Sequence, residues 1–383
     1  MDHYVHAAEL EHAALTFEVT DVELARGSTV AEVPTVTFPV TATPARRVLW
    51  QLAGLLSLAT LASLAGGTVF AASLYGVQWE VTELIKVTQL ACSYLVGGWL
   101  TWLVLRRPAP KTAPRWWRPL RGHAAGTLGV AISALAMPAA GTLGRDLGPA
   151  LFGCAVAWLA VEICRSHGVW PDNGAPHTPV QQLQRWKVAQ WGFIVCGVSG
   201  LLFGLLGKLL TWLDLDIMPV MQDSQMATLG ISGPLELALT IVHSVTIEDV
   251  VIVAATITLM KAVRRPTWEI YTLVCLIEIG LHAYFGLPAI GAAAMAAGRV
   301  WLYLRYRSLL PLMAAHTLWN LFPELGRLSL PNRLMAGVLL AVLFTEIDRR
   351  LKKTASQPPP KAPASSQPAT PTHDRDRMQE TRP

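Results

Sequence analysis

The chain has 383 residues, of which 52% are hydrophobic and only 15% charged, and its mean hydropathy is +0.39. Apolar windows of about 18 residues recur along it, which excludes an ordinary soluble domain and predicts an all-α polytopic membrane protein. A transmembrane β-barrel would show alternating segments of about ten residues, and these are absent.

The net charge of +5 is small. The basic residues lie between apolar segments, where the positive-inside rule accounts for them, so no nucleic-acid partner is expected. The five cysteines (Cys92, Cys154, Cys164, Cys196 and Cys275) fall within predicted spans and have no Cys-x-x-Cys spacing. Neither a disulfide framework nor a structural zinc site is therefore predicted.

Taken in order, residues 1–46 are polar and mildly acidic and read as a flexible cytoplasmic arm. They lack the apolar core of a cleavable signal peptide, so the first span itself directs insertion. An N-terminal membrane region, 47–232, holds spans at about 48–75, 82–105, 123–143, 146–164 and 188–212. In the last of these, Gly200 and Gly204 have the small-xxx-small spacing that lets another helix approach closely. A C-terminal region, 233–347, holds spans at about 234–260, 268–285, 289–304, 308–323 and 334–347, and a Pro-rich tail, 348–383, is predicted to be disordered. Lys and Arg alternate between the connecting loops in a way that gives about ten spans, both termini in the cytoplasm and a multi-pass cell-membrane protein. The high Ala and Arg usage is that of a bacterial chain.

Three helices of the C-terminal region carry polar groups that a lipid-facing helix has little reason to keep. Glu248 and Asp249 lie in the first, Glu278 and His282 in the second, and His316 and Asn320 in the third. Ionisable groups at bilayer depth are costly, so they face a bundle interior and mark a functional site. Glu278 and His282, and likewise His316 and Asn320, are four apart and share a helix face. Glu248 and Asp249 are adjacent, so they point about 100° apart and only one is expected to face a given partner squarely.

Hydrolysis within a membrane needs water, a base to deprotonate it and donors for the developing oxyanion. A carboxylate supplies the base, and histidine and asparagine the donors. A metal is the alternative route, with Glu248, His282 and His316 as an acceptable zinc (Zn2+) set. The chain has no His-Glu-x-x-His helix, so the common zinc-protease motif is absent.

These residues give the C-terminal third a resemblance to the CAAX prenyl protease and bacteriocin-processing (CPBP, or Abi) membrane proteases. That family's pattern is Glu-Glu-x-x-x-Arg, then Phe-x-x-x-His, then His-x-x-x-Asn on successive helices. The stretch RVWLYLRYRSLLPLMAAHTLWNLF matches the third through His316 and Asn320. In the second, His282 fits and Glu278 stands in the place of Phe. In the first, Glu248-Asp249 stands for Glu-Glu, and Val253 occupies the Arg position.

The resemblance covers about 90 residues. It implies a CPBP-like helical core in which Glu248 activates water with help from His282. His316 and Asn320 would form the oxyanion site, with Asp249 as a supporting carboxylate. It also implies a membrane endopeptidase acting on a membrane-associated peptide or protein. The alternative is a catalytically silent relative, a scaffold, peptide-binding or immunity protein, which the absence of the Arg favours.

Overall fold

The computed structural model describes residues 38–74, 76–77, 80–106, 117–135, 141–172, 178–213, 231, 233–325 and 330–356. The arm expected over 1–46 lies outside them as far as residue 37, and the tail from residue 357. Among the described residues the secondary structure is helical, with no strand.

Five helices form the N-terminal part: α1 (Ala45–Leu74), α2 (Thr82–Arg106), α3 (Trp117–Leu135), α4 (Gly141–Ser166) and α5 (Pro179–Trp212). A composite helix follows, in which α6 (Pro234–Val245) runs through a π-helical segment (Thr246–Ala255) into α7 (Thr256–Ala262). Then come α8 (Thr267–Leu281), two 3-10 turns (Ala283–Phe285 and Leu287–Gly291), α9 (Ala292–Tyr306), α10 (Leu309–Leu325) and α11 (Leu330–Ala355). The last helix continues past the predicted boundary at 347, held by side-chain pairs such as Arg350 with Glu346 and Lys352 with Asp348.

Each of the ten predicted spans contains a helix. Among the described residues, six segments are long and apolar enough to cross a membrane: Ala45–Ser73, Glu83–Arg106, Leu147–Ser166, Pro179–Trp212, Pro234–Ala262 and Leu287–Tyr306. The shortfall elsewhere is partly one of length. Helix α8 has 15 residues, which at 1.5 Å per residue is about 22 Å against a hydrocarbon core of about 30 Å.

The composite helix is the centre of the bundle. Every residue from Ile247 to Ala255 is buried. Leu52 and Leu55 of α1, Val156 and Leu159 of α4, and Val300 and Leu302 of α9 belong to the same core. Hydrogen bonding in the π segment reaches five residues back rather than four, and the Thr256 hydroxyl likewise donates to the Val251 carbonyl at 3.0 Å. Such segments are rare and recur at functional sites, because they re-aim side chains without breaking the helix.

Close helix approach depends on glycine at several crossings. Helices α2 and α3 meet at Gly97 and Gly129, where a Cβ on Gly97 would lie 2.6 Å from the Gly129 Cα. Gly97→Val is therefore expected to cost about 1–3 kcal/mol through overpacking, read as a lower thermal midpoint in detergent. Gly98→Val, at a position with open space, is the control, and equal effects at the two would refute the close-crossing explanation. On α5, a Cβ at Gly200 would meet the Trp319 ring at 2.6 Å and one at Gly192 would meet Ala315 at 2.9 Å, whereas Gly204 faces open space. Thus α5 approaches α10 through Gly192 and Gly200, and the predicted Gly200–Gly204 pair contributes only its first member.

Candidate active site

A buried cation that the motif pattern does not contain joins the carboxylates of the bundle. Arg299 of α9 is 1% exposed and lies among three carboxylates from two other elements. One of its terminal nitrogens donates to Asp249 Oδ1 at 2.9 Å. The other donates to Glu278 Oε1 at 2.6 Å and to Glu248 Oε2 at 3.3 Å. A planar guanidinium with five donors in a fixed fork suits such a multiple contact, which a lysine could not reproduce.

The π segment explains how both members of the Glu248–Asp249 pair reach this centre. The sequence predicts that only one of them faces a given partner. In the wider π turn, successive side chains are separated by less than the 100° of an α-helix. Both carboxylates are buried and both contact Arg299. The expectation that one turns away is corrected by this local backbone.

Asp249 also orients His316. Its Oδ2 lies 3.1 Å from His316 Nδ1, so Nδ1–H donates to the carboxylate and Nε2 is left as the free ring nitrogen. That Nε2 is 3.7 Å from Glu248 Oε2. The other oxygen of Glu248 accepts a 2.8 Å hydrogen bond from Ser244 one turn earlier. A carboxylate and an oriented imidazole therefore face each other just beyond hydrogen-bond distance.

His282 sits just past the end of α8, where its Nδ1 donates to the Glu278 carbonyl at 2.9 Å. The ring stacks against Phe285 and lies near Tyr284 and Phe203. The chain then reverses at Gly286, whose φ of +74° suits glycine.

A cavity of about 650 Å³ opens against this cluster. Glu248, His282, His316 and Asn320 are in its wall, together with apolar groups such as Phe203 and Trp319. Asp249, Glu278 and Arg299 are not; they stand behind the wall and hold the groups that are. All five predicted site residues, Glu248, Asp249, His282, His316 and Asn320, are thus brought to one place, four lining the cavity and Asp249 supporting. Of the predicted zinc set, His316 has Nδ1 engaged by Asp249. Among the described residues, the three whose ligand atoms come within 4.8 Å of one another are Glu248, Glu278 and His282.

Two groups at the site were not anticipated. Ser244 gives no signal in a sequence, since an isolated serine in an apolar helix is ordinary. Arg299 does give one: it is a lone charge inside an Ala- and Gly-rich span, AAAMAAGRVWLYL, and by the cost of a charge in the membrane it should be treated as a site residue. His243 of α6 is tied through Nδ1 to the Pro149 carbonyl at 2.7 Å.

Comparison of the chain with protein-family models, with curated proteins and with solved structures finds no match.

Proposed function

We propose that the chain is an intramembrane endopeptidase of CPBP type, built on about ten membrane segments with both termini cytoplasmic. It would hydrolyse a peptide bond of a membrane-associated peptide or protein. The observation that carries this is the pairing of Glu248 with His316 at 3.7 Å in the wall of a largely apolar cavity. Single buried polar groups serve packing, but a base, an oriented imidazole and an amide converging on one cavity serve chemistry.

In the proposed reaction Glu248 takes a proton from a water molecule in the cavity while the water oxygen attacks the scissile carbonyl carbon. The negative charge that develops on the carbonyl oxygen is held by the Asn320 amide N–H and by His316 in its protonated form, whose Nε2–H then points into the cavity. As the C–N bond breaks, the proton held by Glu248 passes to the leaving amine. Asp249 keeps His316 in place, Arg299 holds Asp249 and Glu248 in register, and His282 borders the water.

The Arg that the motif lacks at Val253 has a counterpart in Arg299. The requirement is for a guanidinium beside the second carboxylate, and a side chain from α9 reaches the same point as one from the Glu248 helix would. One observation favours the catalytically silent alternative, a scaffold or peptide-binding protein: Arg299 already occupies Glu248 Oε2, an oxygen that a base would keep for water. The deciding experiment reconstitutes the protein in lipid vesicles with a library of membrane-anchored peptides. Defined cleavage products are expected, and binding of peptides without cleavage would establish the scaffold instead.

A further inference from the structure

A second cavity, of about 540 Å³, lies where α1 begins and α2 approaches its end. It is lined by Pro44, Arg46, Arg47, Trp50 and Gln51 from the α1 side and by Trp99 of α2, and it shares no residue with the cavity that holds Glu248. Two contacts tie this end of α1 to the ends of other helices. The Thr41 N–H donates to the carbonyl of Ala262, the last residue of α7, at 3.1 Å, and Gln51 meets His167, just past α4, at 2.5 Å.

The polar groups of this cavity are donors. Arg46 and Arg47 each carry five N–H donors, and neither makes an ion pair or a side-chain hydrogen bond among the described residues. Other arginines are matched by a carboxylate: Arg265 pairs with Glu269 at 2.6 Å and Arg165 with Glu162 at 3.2 Å. The first turn of α1 contains no acidic residue. Acceptors in the wall are already engaged, since the Pro44 carbonyl takes the Arg47 N–H at 2.9 Å and Gln51 Oε1 is held by His167 Nε2. The amide N–H groups of Gln51 and the two indole N–H groups remain. Two unmatched guanidinium groups among spare donors define a place for an anion.

The setting states which anion. Arg46 and Arg47 are the second and third residues of the apolar segment Ala45–Ser73, and Trp99 belongs to the segment Glu83–Arg106. At 1.5 Å per residue the lining groups lie within about 10 Å of the ends of both segments, the level of phospholipid headgroups. Trp50 is 67% exposed. The Trp99 ring lies over Gly54, where an added Cβ would be 3.5 Å from it, and so makes a flat apolar wall. Indoles suit this level because one side chain offers an apolar body and a polar tip. A soluble anion needs no such wall, whereas basic pockets between membrane helices recognise lipid headgroups.

We infer that this cavity binds an anionic phospholipid, its phosphate between Arg46 and Arg47 and its glycerol and first methylenes against Trp50 and Trp99. Gln51 donates to a headgroup oxygen. A zwitterionic lipid brings the same phosphate together with a cation that the two guanidinium groups repel, so the site selects for net negative charge. The site is separate from the proposed hydrolytic centre.

The test mixes full-length, delipidated protein in a neutral detergent with phosphatidylglycerol or phosphatidylcholine and counts the retained lipid by native mass spectrometry. One tightly held phosphatidylglycerol is expected, bound at least tenfold more tightly than phosphatidylcholine. Arg46→Gln/Arg47→Gln should bring phosphatidylglycerol down to the level of phosphatidylcholine, whereas Arg265→Gln, which removes a guanidinium already matched by Glu269, should keep the preference. Both arginines are exposed, so the double variant should unfold at the wild-type temperature, and the preference of the wild type stands without it. In a parallel arm, inorganic phosphate at constant ionic strength is added to the lipid-loaded protein before desalting, and the lipid should persist. Equal retention of the two lipids, or undiminished retention by the double variant, overturns the inference. Complete displacement by phosphate overturns it as well and makes the cavity a site for a free anion. No peptide is present, so the outcome is independent of the peptidase proposal.

Discussion

Arg299→Met is expected to be the most destabilising single substitution in the bundle. It removes the one guanidinium shared by Asp249, Glu278 and Glu248 and leaves three buried carboxylates without it. Removing one partner of a buried ion pair costs about 3–5 kcal/mol, because the charge left behind is uncompensated. The cost should appear as a large fall in the thermal midpoint in detergent.

Arg299→Lys should recover only part of the loss, since an ammonium cannot bridge both ends of the fork. A second substitution separates lost charge balance from lost packing volume. Replacing Glu278 with methionine as well removes the carboxylate that Arg299 approaches most closely, at 2.6 Å. The double variant Arg299→Met/Glu278→Met is therefore expected to be more stable than Arg299→Met alone, with a coupling of about 1 kcal/mol or more. Additive effects would show that Arg299 acts as a packing group and that the charge argument is wrong.

Glu248→Gln is expected to lower peptide cleavage roughly 100- to 10,000-fold, the range associated with loss of a general base. Glutamine preserves the shape of the side chain and the Ser244 contact, so the fold should be retained and the defect confined to the chemical step. His316→Ala should lower cleavage by about 100- to 1,000-fold through loss of an oxyanion donor, and it also leaves Asp249 Oδ2 without the imidazole 3.1 Å away. Unfolding midpoints must accompany the rates for that reason. Full cleavage by Glu248→Gln would remove the basis for a glutamate-activated water. Inert wild type and inert variants that all bind peptide equally would make the cavity a docking site.

Much of the helical framework is legible without coordinates. Apolar runs bounded by charged loops place a helix at each of the ten predicted segments, because hydropathy is a local property that survives any arrangement of neighbours. The same local character explains where the prediction overreaches. An apolar run of 15 residues, as in α8, looks like a span when read with its flanking turn, yet the 3-10 turns after it take those residues out of the helix. The candidate site residues were also visible one by one, as polar groups in apolar surroundings.

What the chain by itself determined was therefore the set of helices and the presence of carboxylates, imidazoles and an amide on three of them. Tertiary structure alone decided how these meet. It turns Glu248 and Asp249 to the same side through a π-helical register, which an apolar sequence does not distinguish from an α-helical one. It brings the Arg299 guanidinium from α9 to the three carboxylates, since electrostatics fixes where a charged head group must lie in space and not which helix carries it. It also pairs Glu278 with that arginine across 21 residues of sequence. Side-chain patterns along one helix are governed by its own period, whereas a buried charge cluster is governed by the sum of charges that packing brings together.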